Sequence, residues 1–271
     1  FGNDLVKKNN YNTSMAVLSK LLAFESFKVL KTSKEQNKIL RLFDMCFTIL
    51  KNNNKIDYIL IDTFSTTNFY FAFITSQIAR FLKIKYIPIL RGGDLPNRLD
   101  SSVKLSNMIF CNSYFNVAPS GFLEDEFNQR GYQTKFIPNI LEIDSYEFKK
   151  RKVLSPKILW VRAFRELYNP ILAIKVLSLV KEKYQKATLC MVGPFKDESY
   201  TKTKKLVTTL NLENSVEFTD VLPKEEWHKK AKEFDIFINT TNFDNTPVSV
   251  MEAMALGLVV VSTNAGGLPY L

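Results

Sequence analysis

The sequence predicts an α/β protein made of two doubly wound domains in tandem. Short apolar runs alternate with stretches of helical spacing along nearly the whole chain, which is the rhythm of parallel strands covered by helices. The rhythm breaks once, from Asp144 to Ser155, where charge rises and apolar residues thin out before Pro156. This places the domains at 1–148 and 149–271, joined by a charged linker. A content of 46% apolar and 24% charged residues in 271 positions supplies a sizeable core and excludes a disordered chain.

Element by element, an Asn-rich loop at 9–13 leads into a helix over 14–24, with Met15, Leu18 and Leu22 on one face. A second helix, 36–51, aligns Ile39, Phe43, Cys46 and Leu50. Asp57 to Asp62 is an apolar run between acids, the pattern of a buried parallel strand. The first domain continues with a helix over 69–82, strand 84–90, helix 96–105, strand 108–111, helix 120–130 and strand 135–138. Phe69, Phe71, Phe73 and Phe81 read as core. The second domain restarts with strand 157–162 and helix 169–183, then strand 188–192 and helix 199–210. Strand 216–219, helix 224–232, strand 236–240, helix 248–256 and strand 259–263 complete it. Ligands of such sheets bind at the carboxyl ends of strands, so two domains place a substrate in the cleft they share.

The net charge of +10 is divided between the halves, with 20 basic against 14 acidic residues in 1–150 and 17 against 13 in 151–271. A nucleic-acid binder concentrates charge with aromatics on one surface, so no nucleic-acid partner is expected; an anionic donor, or weak attraction to an anionic membrane surface, suits the charge better. Cys46, Cys111 and Cys190 lie far apart in apolar runs and read as buried, reduced residues. With one histidine and no clustered cysteines no metal site is expected. His228, beside Trp227 on a charged helix, reads as structural and remote from the site. No secretory signal is visible in the opening residues, making the cytoplasm the expected compartment, with the inner membrane face as a peripheral option. The start without Met and the end within an element suggest a fragment.

The chemistry concentrates in residues 239–257. The strand ending at Thr240 opens into a polar loop; Thr246 suits an N-cap, Pro247 the first helical position and Gly257 the C-terminal stop. The loop thereby presents a helix N-terminus, whose free N–H groups at Val248 and Ser249 suit a phosphate. Asp244 precedes this end and Glu252 follows it. Carboxylates accept hydrogen bonds and repel phosphate, so a ligand flanked by both must also carry hydroxyls. A sugar nucleotide has phosphate and hydroxyls together.

Asp244, seven intervening residues, Glu252, the run Ala253 to Thr263 and Gly266-Gly267 resemble the donor-site region of retaining glycosyltransferase family 4, of the GT-B fold. The resemblance implies that Glu252 binds ribose hydroxyls and that Asp244, one methylene shorter than the usual Glu, lies near the transferred sugar. Leu159 to Arg162 followed by Tyr168-Asn169-Pro170 is similar to the family's diphosphate-holding segment. Arg162 takes the arginine position, while Leu167 or Tyr168 stands where a lysine is usual, with Arg165 as a substitute cation. Gly193 and the pair Asp220 and Val221 resemble strand ends framing the nucleobase. On the acceptor side, Gly2, Arg91, Gly92 and Gly93 match in kind.

The resemblance implies a retaining, metal-independent hexosyltransferase without a cofactor, its substrates a nucleotide sugar donor and a glycan or lipid-linked acceptor. The ragged ends then imply a nearly complete first domain, with Phe1 to Asn3 as the tail of its first strand and a few residues absent upstream, and an incomplete second. Two other readings stay open: a non-catalytic sugar-nucleotide-binding or partner protein on a decayed transferase fold, and a dinucleotide-dependent oxidoreductase, for which no GxGxxG follows a strand.

Overall fold

The structure is a computed structural model that describes residues 14–32, 35 and 37–271. Two compact units meet at Ile140/Leu141, with Tyr270 and Leu271 grouped with the first. Each has an all-parallel sheet among the described residues.

In the first unit, helices α1 (Ser14–Phe24) and α2 (Lys38–Asn52) precede β1 (Tyr58–Thr63), α3 (Asn68–Phe81) and β2 (Lys85–Leu90). Then come α4 (Leu95–Ser101), α5 (Val103–Phe110), β3 (Asn116–Ala118), α6 (Gly121–Gln129) and β4 (Thr134–Phe136). The strands lie in the order β1-β2-β3-β4. One side of the sheet packs Phe69, Leu90, Phe110 and Phe127, and another cluster joins Ile49, Ile59, Ile61 and Tyr86. α2 is begun by Asn37, whose side chain accepts the N–H groups of Ile39 and Leu40. Its apolar stripe at Ile39, Phe43, Phe47 and Leu50 is exposed.

Several expectations for this unit are corrected. The run 108–111 is the end of helix α5, and the strand is Asn116–Ala118; a short buried apolar run has no period that separates the two states. The helix expected over 96–105 is broken at Ser102, whose backbone leaves helical geometry at φ −138°. Phe69 is fully buried, but Phe81 at the last position of α3 is exposed. Cys111, just past α5, is exposed as well. Gly2 and the loop at 9–13 lie outside the described residues.

The second unit contains β5 (Lys157–Val161), α7 (Pro170–Lys183), β6 (Thr188–Val192), α8 (Ser199–Thr209) and β7 (Val216–Thr219). It continues with α9 (Lys224–Ala231), β8 (Ile236–Asn239), α10 (Val248–Ala255) and β9 (Val259–Ser262). The order β7-β6-β5-β8-β9 builds outward from β5 in one direction and then in the other. Helices cover both faces: Trp160, Ile174 and Leu177 lie in one core cluster, Leu159, Phe237 and Val250 in another.

The expected charged linker is instead packed onto this unit. Tyr146 is buried. The Arg151 side chain is only 3% exposed; it donates to the carbonyls of Ala231, Phe234 and Leu256 and pairs with Asp235 at 3.2 Å. A guanidinium has five donors in a planar fork, which suits it to gather several carbonyls at and just beyond the ends of α9 and α10. A composition shift marks a segment poor in apolar residues, and here polar anchoring takes the place of burial.

Candidate functional site

Strand order locates the site. β5 feeds β6 on one side while β8 lies on the other, so their connections leave in opposite directions and open a crevice at their carboxyl ends. Arg162 follows β5 directly, and the loop carrying Asp244 follows β8. The two loops are fastened together. Trp160, fully buried in β5, donates from Nε1 to Thr240 Oγ1 at 3.0 Å, and that hydroxyl donates to the Tyr168 carbonyl at 2.9 Å. The Asn242 amide donates to the Leu167 carbonyl at 2.8 Å, and Asn169 Nδ2 to Asn242 Oδ1 at 3.0 Å.

Within this frame Arg162 Nη2 and Asp244 Oδ2 form an ion pair at 2.5 Å, each side chain less than a fifth exposed. The Arg162 guanidinium also lies 4.9 Å from the Tyr168 ring centre, a cation–π distance. Its Nε is buried without a partner among the described residues, as is Ser249 Oγ on the first turn of α10. Buried polar atoms left unsatisfied are costly, so these two are candidates for contact with a polar ligand. The α10 start differs by one residue from expectation. Pro247, not Thr246, is the capping residue, because its extended backbone (ψ 108°) sends its carbonyl to Val250 N at 3.0 Å.

Glycines bring the neighbouring loops close. Gly193 has φ +148°, and a Cβ there would stand 1.9 Å from the Arg162 carbonyl oxygen. Gly267 donates its N–H to the Asp244 carbonyl at 2.8 Å, and a Cβ on it would stand 1.8 Å from the Asn245 carbonyl oxygen. Neither contact tolerates a side chain.

Glu252, on α10, keeps only 7% of its surface exposed. Its Oε1 accepts from Tyr146 Oη at 3.0 Å and from Lys224 Nζ at 2.8 Å. Burial works against the charge of Lys224, but its hydrogen bonds to Glu252 and Tyr146 outweigh this and carry its pKa above the ordinary lysine value. Tyr146 and Lys224 were not among the sequence-predicted residues. His228, expected to be remote, has its ring 4.9 Å from that of Tyr146, and burial lowers its pKa. Tyr146 and Phe148 interrupt an otherwise charged stretch, which was the available signal for Tyr146.

The other expected residues lie outside these contacts. Arg165 is exposed, near Asp197, whose carboxyl is held below its ordinary value chiefly by Ser199. Asp220 and Val221 are exposed beyond β7, where Asp220 Oδ1 accepts the Val221 N–H at 2.7 Å. In the first unit, Arg91 at the end of β2 pairs with Asp62 at 3.0 Å and donates to Asn139 Oδ1 at 2.8 Å, with Gly92 and Gly93 next in the chain. Among the described residues no group of three or more His, Cys, Asp or Glu is arranged to hold a metal ion. A cavity of about 340 Å³ lies at the opposite, amino ends of β5 to β7, lined by Lys157, Thr188, Val216 and Cys190. Burial pushes the Cys190 thiol up to about 12, which leaves it unreactive at neutral pH.

Residues 143–271 match the family described as "Glycosyl transferases group 1". The second unit is that family's match. An uncharacterized glycosyltransferase of Methanocaldococcus jannaschii is 27% identical over 152 residues, covering 52% of this chain and 36% of the relative. The amylovoran biosynthesis glycosyltransferase AmsK of Erwinia amylovora is 29% identical over 139 residues, covering 48% and 34%. The chain thus spans about a third of the length of these curated relatives. Among solved structures, Anabaena HepE in complex with UDP and glucose superposes with a TM-score of 0.67 at 17% identity, over 92% of this chain and 70% of that one. This likeness gives the fold: the chain has the GT-B type of α/β architecture. No helix among the described residues is long and apolar enough to cross a membrane.

Proposed function

We propose that this chain is part of a retaining glycosyltransferase that moves a hexose from a nucleoside diphosphate sugar to an acceptor hydroxyl. The observation that carries this reading is the grouping of Arg162, the α10 N-terminus and the buried Glu252 around one sheet switch point. It offers a cation and a helix N-terminus for a diphosphate, and a carboxylate for hydroxyls. HepE has been solved with UDP and with UDP-glucose, which supports a donor of this class.

In the proposed reaction the bond from the anomeric carbon to the diphosphate oxygen breaks, and the diphosphate leaves with the electron pair. Arg162 and the amides of Val248 and Ser249 stabilise the charge that builds there. Asp244 orients the sugar and Glu252 the ribose. The acceptor oxygen bonds to the anomeric carbon on the face the diphosphate leaves, and its proton passes to a leaving phosphate oxygen. These groups act without a metal ion or other cofactor. The acceptor is a glycan or lipid-linked saccharide, met by the first unit at the side of Arg91, Gly92 and Gly93. Weak attraction to an anionic membrane at its cytoplasmic face is part of the proposal, supported by the exposed Phe43 and Phe47 between Lys38 and Lys51.

A second reading, sugar-nucleotide binding without transfer, is favoured by Tyr168 standing against Arg162 where a second cation would strengthen a diphosphate site. Nucleoside diphosphate release from a panel of sugar nucleotides, with and without saccharide acceptors, separates the two. Transfer predicts acceptor-dependent release from one donor class. Tight nucleotide binding with no release supports the second reading, and binding of nicotinamide dinucleotides in place of sugar nucleotides overturns both.

A further inference from the structure

We infer that Lys224 and Tyr146 are positioning residues that make Glu252 a reader of the ribose hydroxyls, so that together they let the site tell ribonucleotides from deoxyribonucleotides. The inference rests on the proposed role of Glu252 as the ribose ligand and adds the residues on which its selectivity depends.

The geometry is specific. Both side chains meet the same carboxylate oxygen, Oε1, at 3.0 and 2.8 Å, and neither contact uses Oε2. The three groups come from separate places: Tyr146 from the segment before β5, Lys224 from the first turn of α9, and Glu252 from within α10. The Lys224 ammonium also lies 5.0 Å from the Tyr146 ring centre, and the same ring approaches His228. Lys224 is therefore fixed by a carboxylate and a ring at once.

A carboxylate buried to this degree is costly to keep charged without a counter-ion. Lys224 supplies that charge while remaining 46% exposed itself, at the rim of the group. Lys224 thus acts on the ribose through Glu252, and Tyr146 helps to fix the Glu252 rotamer.

The test is calorimetric titration of the purified protein, its Lys224→Met and Tyr146→Phe variants, and the conservative Lys224→Arg variant, with UDP and with 2′-deoxyUDP. Wild-type protein is expected to prefer UDP by roughly tenfold, the value of a hydrogen bond to a charged group. In Lys224→Met and Tyr146→Phe the preference should fall to about twofold or less, and Lys224→Arg should restore most of it. Equal losses for both nucleotides, or a stronger preference for UDP once Lys224 is removed, overturn the inference while the Glu252 assignment stands. A wild-type protein that binds both nucleotides equally, or neither, overturns the Glu252 assignment and the inference with it.

Discussion

Replacing Arg162 by alanine is expected to lower the rate of sugar transfer by about 10²- to 10³-fold, the cost of removing one preorganised stabiliser of developing negative charge. The loss has two parts. In the proposed reaction the cation facing the diphosphate disappears, and Asp244, which Arg162 holds at 2.5 Å, is left as an uncompensated negative charge beside the leaving group. Arg162→Ala combined with Asp244→Asn should therefore recover part of the donor affinity that Arg162→Ala loses. Arg162→Lys should fall between, because an ammonium is a point charge without the planar fork that spans two oxygens and stacks on the Tyr168 ring. Steady-state kinetics of nucleoside diphosphate release across these variants checks the order. Arg162→Ala with unchanged kinetics contradicts the role assigned to the guanidinium.

Gly193→Ala is expected to damage the second unit severely, at about 3 kcal/mol or more of stability. Its φ of +148° is a conformation that side chains rarely adopt, and the new methyl would stand 1.9 Å from the Arg162 carbonyl oxygen. To make room, the ends of β5 and β6 must separate, and Arg162 moves with them. Gly131 provides the comparison within the same molecule: it too has positive φ, at +80°, but a Cβ there meets nothing within 4 Å. Gly131→Ala should cost about 1 kcal/mol, the conformational part alone. Urea unfolding of both variants measures the difference, and equal costs would show that the close approach at Gly193 is not what requires a glycine.

The second unit was the more legible of the two from its residues. Its strands are apolar runs of four or five residues, separated by helices with their own punctuation. Asn169 accepts the Leu172 N–H and Pro170 begins α7. Gly257, at φ +76°, ends α10. In the first unit the three residues of β3 are too few to signal a strand, and the apolar end of α5 has the look of one. Arg162 and Asp244 could be found because each comes after a strand end with a recognisable pattern. Their pairing could not, since it depends on β5 and β8 being neighbours, which strand order in space decides. Tyr146 was missed for the same reason in stronger form. It lies 106 positions from Glu252, in a stretch whose charge suggested a linker, and only the packing of Arg151 and Tyr146 onto the second sheet brings it to the site.

A crystal structure of the protein with UDP tests the central claim most directly. The diphosphate should lie about 3 Å from the Arg162 guanidinium and from the first amides of α10, with a ribose hydroxyl at a similar distance from Glu252. UDP bound elsewhere on the chain, or Glu252 more than about 5 Å from every ribose hydroxyl and so beyond hydrogen-bond reach, would contradict it.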